Sequence, residues 1–593
     1  MADNRNQETI SPNNGGDKFA SKRNNGKKNG KRFKSSGSNN VRHKNCNKPQ
    51  SFIEGKAFKA DAYNDPSWYA KNAQLLKDAA SIPFNTAVGM SMNITDGTTT
   101  QWSNQRVNID KAAGILAIKV LPHLGISENA DDPVNIAASS IYSFTVHGNS
   151  RNTSYNRADE MIALGAADSV FCFINWCQRL YGIMMNPNQW SRYQAHDLIT
   201  ANGVNWKDLE ANISDFRAWL NQLIVKASAI WVPNNLPVFQ KHSWMFSNVY
   251  RDHDTKMAQY YMFVPEAFYI YSDTYSDQGS ALVYTPLVGD GPAFTYDVEN
   301  TGDAANTVWN EINSDLLMDF ADIRSYGNEM IQAILDSEDV QTMFADIRMA
   351  YGANGLFKLA PVDESYLIEP TFNKEVLTEI TNLYAVHRFQ DADQTAIVRN
   401  YSILQSVNTQ NLVFKPKTTS RIAGWDLNNI VNFDVDEPSP SDVMVATRLI
   451  AKVDTLTVDG GFIRANILSA GTELVTGMNI FMKPGKLAAA NTELVVSDEF
   501  SSIIPYFFSL TEQNAIFLNS RVSQLATVIT QFDWAPTLYY LETEYNGGTI
   551  TTLPVMALKG IIADVVNVST ITAPMGLKLD TTAILSELDV PVE

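Results

Sequence analysis

The sequence RADEMIALGAADSVFCFINWCQRLY, residues 157–181, predicts one long and largely apolar helix. A helix without a wide polar face must lie between other elements, because its surface has to be buried on most sides. Asp168, Asn175 and Arg179 interrupt the apolar run, whereas a membrane-spanning helix needs about twenty apolar residues. We therefore expect a core helix surrounded by other elements, and no transmembrane segment.

Further helices are expected on both sides of this one. Asp65-Pro66 and Asp132-Pro133 each suit a helix start, with Asp as the cap and Pro at the first helical position. Between residues 206 and 229, apolar residues recur every third or fourth position, which predicts one amphipathic helix that ends before Pro233. These apolar residues are Leu209, Ile213, Phe216, Leu220, Leu223 and Ala227.

Two more helices are predicted between residues 307 and 352. They contain two similar short sequences, FADIRSYG from Phe320 and FADIRMAYG from Phe344, which we call the FADIR echo. Two similarly packed helices explain the echo more simply than a duplicated helix, and two copies do not make a repeat array.

The pattern changes after about residue 420 to one typical of strands. VDGG (458–461) and YNGG (545–548) lie between β-branched and aromatic runs and are hairpin signals. DVMVATRLIAKVDTLTV (442–458) and GIIADVVNVSTITA (560–573) also favour strands over helices. The predicted class is α+β, with a mainly helical domain at 58–420 and a β-rich part at 421–593.

Charge is segregated along the chain. The net charge of the 593 residues is −18, yet the first fifty-nine residues hold fourteen Lys or Arg and four acids, and the rest holds 32 bases and 60 acids. Residues 1–57 are rich in Asn, Gly, Ser and Lys, and they lack the apolar surface needed to offset the entropy of ordering. We predict that this segment, called the arm below, is disordered and contains no secretory signal.

Seven basic residues form the densest part of the arm, within KRNNGKKNGKRFK at 22–34. Such a segment binds phosphates through counterion release without needing a fold. We predict nucleic-acid binding by Lys22, Arg23, Lys27, Lys28, Lys31, Arg32 and Lys34. Only Phe19 and Phe33 lie nearby, so base stacking is not expected. The alternative is a nuclear-localisation or solubilising tail.

The sequence offers no catalytic constellation. It lacks GxxxxGK[ST], HExxH, GxSxG and CxxC. Gly289-Asp290-Gly291 is interpreted as a turn and Asp252-His253-Asp254 as a loop with an exposed His. Asp322 and Asp346 are interpreted as separate surface groups. We therefore predict no enzyme, no catalytic residues, no metal and no cofactor.

The three cysteines give no framework of disulfides. Cys46 lies in the arm, while Cys172 and Cys177 lie five positions apart on the predicted core helix. At about 100° per residue their side chains point away from one another, so they form neither a ligand pair nor a disulfide. This use of cysteine is typical of a reducing compartment.

Three blocks resemble the capsid proteins of picobirnaviruses. They are NDPSWYAKNAQLLKDAASIPF (64–84), QRLYGIMM (178–185) and ISDFRAWLNQLIVKASAIWVPNNLPVFQKHSWMFSNVYRD (213–252). The resemblance covers about residues 60–255. It implies a mainly helical shell domain at 58–420 with a smaller projecting part at 421–593. The implied homodimers tile an icosahedral shell around double-stranded RNA, with the basic arm inside on the RNA. It also implies a virion protein assembled in the host cytoplasm, without a small-molecule substrate; membrane interaction is left open.

Such capsid proteins can lose an N-terminal arm, and the expected boundary of order falls at Asn64, Asp65 and Pro66. Asn side chains attack their own carbonyl and Asp-Pro bonds are labile, so we predict processing near these residues. Two functions of other classes stay open from the residues alone. One is a non-viral RNA-binding scaffold or chaperone with an acidic, protein-binding body, and the other is an RNA-processing enzyme with a cationic tail.

Overall fold

The computed structural model describes residues 65–80, 114–150, 153–187, 195–254, 258–276, 279–291, 293–294, 309–389, 391–420, 429–454, 457–459, 462–483, 494–497, 499–500, 506–510, 528–543, 556–562 and 566–590. All of them belong to one compact unit, Phe52–Glu593. The other unit, Met1–Ser51, and the rest of the arm lie outside the described residues.

Thirteen α-helices lie in the described part of the chain. They are α1 (Ala73–Ala80), α2 (Pro133–Asn149), α3 (Arg157–Met184), α4 (Ala195–Ala201), α5 (Trp206–Ala211), α6 (Ile213–Ala227), α7 (Pro237–Ser247), α8 (Phe320–Leu335), α9 (Glu338–Tyr351), α10 (Lys374–Thr381), α11 (Gln394–Tyr401), α12 (Pro440–Ala446) and α13 (Ala573–Glu587).

The same part of the chain contains twenty-one strands. They are β1 (Ile115–Pro122), β2 (Val232–Pro233), β3 (Tyr250–Arg251), β4 (Tyr260–Pro265), β5 (Ala267–Ser276), β6 (Gly279–Pro286), β7 (Trp309–Glu311), β8 (Leu356–Phe357), β9 (Leu404–Gln405), β10 (Leu412–Val413), β11 (Lys417–Ser420), β12 (Asn429–Phe433), β13 (Lys452–Val453), β14 (Thr457–Asp459), β15 (Phe462–Ser469), β16 (Glu473–Met482), β17 (Val495–Ser497), β18 (Tyr506–Leu510), β19 (Leu538–Thr543), β20 (Met556–Ile562) and β21 (Asn567–Ile571). The predicted α+β class is confirmed.

The predicted core helix is α3, and it is buried along almost its whole length. It begins with a capping box, because the Asn156 side chain accepts the N–H of Asp159 and the Asp159 side chain accepts the N–H of Asn156. Helices α2, α6 and α7 and strand β5 pack around it. This is the neighbourhood that an apolar helix requires in water.

One mixed sheet joins residues that are far apart in sequence. Its strand order is β3-β4-β1-β16-β17-β7, with β1 parallel to β4 and antiparallel to β16. Strand β16, which follows residue 420, therefore shares a sheet with the first part of the chain. The division at residue 420 into a shell domain and a projecting part stays a prediction.

Two sequence predictions about helices are wrong. The expected helix over 206–229 is divided into α5 and α6 at Asn212, whose side-chain amide donates to the backbone and carboxylate oxygens of Asp208. An Asn side chain competes in this way with the helical hydrogen bonds. Residues 440–446 form α12 rather than a strand, because Ser439 and Asp442 make a capping box around Pro440.

Several other expectations are confirmed. Strands β14 and β15 pair antiparallel on either side of Gly460-Gly461, as the VDGG signal predicts. Strands β19 and β20 also pair antiparallel, but the YNGG connection between them lies outside the described residues. The FADIR echo does not mark a duplicated helix, since Phe320 begins α8 whereas Phe344 lies in the middle of α9.

Candidate functional site

Most of the residues predicted to carry function lie outside the described chain. These are Lys22, Arg23, Lys27, Lys28, Lys31, Arg32, Lys34 and Asn64. Asp65 and Pro66 are described. Asp65 caps the short 3-10 helix Pro66–Trp68, where its Oδ1 accepts the N–H of Ser67 at 2.9 Å. The predicted helix start is confirmed, and we call residues 65–72, where the arm joins the body, the arm root.

Aromatic side chains hold the arm root in the body. The ring of Trp68 stacks on that of Trp244 with centroids 5.6 Å apart. Tyr69 is fully buried, and its hydroxyl donates to Oε1 of Glu379 at 3.0 Å. Burial, together with the charge of Glu379, raises the pKa of Tyr69 well above its usual value, so the phenol stays a neutral donor.

Polar contacts tie the arm root to the C-terminal end of the described chain. Lys71 Nζ donates to the backbone oxygen of Asn235 at 2.9 Å and pairs with Asp589 at 3.1 Å. The N–H of Asn72 donates to Oγ of Ser586 at 3.4 Å. The two ends of the described chain are therefore held together in the folded body.

A buried group of charges lies beneath the arm root. Lys241, on α7, has its Nζ 2.7 Å from the carboxylate of Glu473 and 3.1 Å from that of Glu587, and it lies over the Tyr69 ring. All three charged side chains are buried. Burial acts to lower the pKa of Lys241, but the two carboxylates outweigh it and raise the pKa above its usual value.

His242 extends this group toward the core helix. Its Nδ1 lies 2.6 Å from Oδ2 of Asp168 on α3, and its Nε2 lies 3.3 Å from Oε1 of Glu473. Burial opposes protonation, but these carboxylates raise the pKa of His242 to about 10, so the ring is an imidazolium at neutral pH. Protonated His242 therefore contributes to the stability of the fold. This contribution is complete below the ordinary pKa of 6.5 and is lost as the pH rises through 10.

We call Asp168, Lys241, His242, Glu473 and Glu587 the Lys241 cluster. Its members come from α3, α7, the start of β16 and the end of α13. The cluster therefore joins four segments by charge, immediately below the arm root. Sequence reasoning missed it, although a Lys-His pair inside the apolar run of α7 and an Asp inside α3 were visible signals.

The geometry of the cluster favours a buried network of ion pairs over a metal site. Asp168, Cys172 and His242 place potential ligand atoms within 4.8 Å of one another. However, both nitrogens of His242 already face carboxylates. Burial also raises the pKa of the Cys172 thiol well above its usual value, whereas a metal requires the thiolate. Cys172 and Cys177 are both buried free thiols.

A second group with potential ligand atoms lies at the surface. His253 is exposed over 60% of its side chain, and its Nδ1 lies 3.7 Å from Asp252 and 3.7 Å from Asp533. Asp254 pairs instead with Arg251. The prediction of a loop with an exposed His is confirmed, while the approach of Asp533 was not foreseen because it lies far away in sequence.

The interpretation of Asp322 and Asp346 as surface groups is wrong for Asp346. Asp322 completes the capping box of α8 with Asp319. Asp346 is completely buried on α9 and accepts the Tyr155 hydroxyl at 3.1 Å. Helix α2 covers this face of α9, which the periodicity of α9 alone could not reveal.

Glu160, which lies close to Asp346, makes stability depend on pH. It is 1% exposed and forms no ion pair with any described residue. Burial raises its pKa from 4.5 to about 7, and the charge of Asp346 contributes. Stability should therefore fall as the pH rises from about 4.5 to about 7, because the unfolded chain releases this proton first.

Glu160→Gln is expected to stabilise the protein at pH 8 by on the order of 2–3 kcal/mol, since the buried charge is removed. The gain should shrink toward zero near pH 4.5. Thermal melts across this pH range measure it, with the exposed Glu338→Gln as the matched control. An equal gain at both pH values would contradict this assignment.

Helix α3 is the one described helix with the length and hydropathy of a membrane span. Its apolar window is entirely buried in the fold. Core helices of water-soluble proteins pass the same test, so this feature is weak support for a membrane segment.

The fold of this chain was compared with the folds of solved protein structures. The fold matches a solved structure, the X-ray crystallographic structure of the picobirnavirus capsid, with a TM-score of 0.65 and 21% sequence identity. The match covers 89% of this chain and 100% of the other. At this identity the match establishes the fold alone, which this chain shares with that capsid structure.

Sequence comparisons identify the family. The family model described as picobirnavirus capsid protein matches residues 68–476. The capsid protein precursor of Human picobirnavirus (strain Human/Thailand/Hy005102/-) is 26% identical over 516 residues, which cover 83% of this chain and 86% of the relative. The chain belongs to the picobirnavirus capsid protein family. Its members are structural proteins of the virion rather than enzymes, and the resemblance given by the three sequence blocks is confirmed.

Proposed function

We propose that this chain self-assembles through homodimers into an icosahedral shell that encloses double-stranded RNA, and that its arm contacts the RNA. Family membership supports the capsid role. The observation that carries the RNA role is the segregation of charge, with a basic arm joined to an acidic body at a firmly held root. The body repels a polyanion, so RNA would be held by the arm.

Electron microscopy of the heavy fraction of recombinant full-length protein tests this proposal, together with its absorbance ratio at 260 and 280 nm. We expect closed, uniform shells that contain nucleic acid. A variant lacking residues 1–56 should form similar shells with less nucleic acid. Small soluble species that still bind RNA would favour the scaffold alternative instead.

We also propose that the arm is removed by cleavage near Asn64, Asp65 and Pro66, during assembly in the host cytoplasm. The relative from Human picobirnavirus is named a precursor. The contacts of Trp68, Tyr69 and Lys71 begin just after these residues, so a cut before Asp65 would release the arm and leave the root in place. Intact-mass spectrometry of assembled particles tests this, and a single full-length species would contradict it.

A further inference from the structure

Two cations lie on one indole ring at the surface. Trp231 comes directly before β2 and Lys358 directly after β8, and the pairing of these strands brings the two residues together. Lys358 Nζ is 4.6 Å from the centroid of the Trp231 ring. Arg348, on α9, has its Cζ 4.1 Å from the same ring. Cation–π contacts of this kind fix both charges in place.

These two cations have no counter-charge in the described part of the chain. Neither Arg348 nor Lys358 forms an ion pair with a described carboxylate, and both side chains are exposed. The residues after position 59 hold 60 acids and 32 bases. Two neighbouring positive charges on so acidic a body fit a partner that supplies the missing negative charge.

The surface beside them is mostly apolar and concave. A cavity of about 410 Å³ lies between Trp231 and the outer face of α9, and its remaining lining residues are Gln341, Ala345, Arg348, Met349 and Ala353. Met349 is 64% exposed. At the end of α9, Tyr351 packs against Phe144, which is itself 50% exposed. Partly exposed Trp and Tyr beside exposed Met and Arg are typical of the centre of a protein–protein interface.

We propose that this surface, defined by Trp231, Arg348, Met349 and Lys358 and called the Trp231 patch, binds a second copy of this chain. The cavity receives an apolar side chain, and carboxylates of the acidic partner surface neutralise the two cations. The proposal rests on the proposed self-assembly and names one surface that carries it. RNA fits less well, because two cations already lie on the indole that a base would stack on and the cavity walls are mostly apolar.

The test is charge reversal in the full-length protein, Arg348→Glu with Lys358→Glu. Sedimentation velocity measures self-association, and circular dichroism checks the fold. The matched control is Lys207→Glu with Arg324→Glu, because these two exposed cations also lie on aromatic rings, those of Trp206 and Phe320. Met349→Ser tests the apolar part without changing charge.

We expect the charge-reversed variant to keep its fold, while its assembled fraction falls about tenfold or more. The introduced glutamates would face carboxylates of the partner copy, and like charges across an interface repel. The control should assemble as the unaltered chain does. Self-association equal to that of the unaltered chain would overturn the proposal. Normal assembly with a lower nucleic-acid content would overturn it in favour of RNA. Absence of closed shells from the unaltered chain would contradict the proposed function, yet its smaller oligomers would still report on the patch.

Discussion

Lys241→Met is expected to lower the free energy of unfolding by about 3–5 kcal/mol, because it leaves the buried Glu587 carboxylate without its ion-pair partner and Glu473 with His242 alone. The carboxylates of Glu473 and Glu587 both lie within 3.1 Å of Lys241 Nζ, and all three side chains are buried. Whole domains are stable by only about 5–15 kcal/mol. The variant should therefore be close to unfolding, as measured by equilibrium denaturation followed by tryptophan fluorescence.

Two further variants separate charge from packing. Adding Glu587→Gln to Lys241→Met should restore part of the loss, since one of the uncompensated charges disappears. Lys71→Met is the matched control, because its pair with Asp589 is more than a third exposed and such pairs contribute about 0–1 kcal/mol. If Lys241→Met proved no more damaging than Lys71→Met, the buried ion pairs of Lys241 would not contribute to stability as predicted.

Replacing the seven basic residues of the arm by glutamine is expected to remove most of the salt-dependent binding of RNA. Each phosphate contact on a single strand contributes about −0.7 to the slope of log affinity against log salt concentration. All eleven cations between Lys18 and Lys48 would give a slope of roughly −8, and losing seven should reduce it to about −3. The substituted residues are Lys22, Arg23, Lys27, Lys28, Lys31, Arg32 and Lys34.

Filter binding of a short single-stranded RNA at 50 to 200 mM salt measures this slope. The matched control replaces seven asparagines of the arm by glutamine, which leaves the charge unchanged. The control should keep the slope of the unaltered chain. An unchanged slope in the charge-neutralised variant would place RNA binding on the body and contradict the role of the arm.

Local patterns in the sequence predicted the elements that depend on neighbouring residues. The apolar run of α3, the helix start at Asp132-Pro133 and the hairpin across Gly460-Gly461 all follow from periodicity, caps and turn residues. The failures arose where a side chain competed with the main pattern. The Asn212 amide broke a helical stripe, and the Ser439–Asp442 capping box outweighed β propensity at α12.

By itself, the sequence determined the family resemblance, the α+β class, the segregation of charge and the position of the arm root, because each is encoded in residues close together along the chain. Only the tertiary structure decided that Lys241 meets Glu473 and Glu587, that Asp346 is buried, and that Arg348 and Lys358 share the ring of Trp231. These contacts join residues far apart in sequence. The chain has sixty-four acidic and forty-six basic residues. Their pairing depends on how whole helices and strands pack, so local sequence patterns do not predict it.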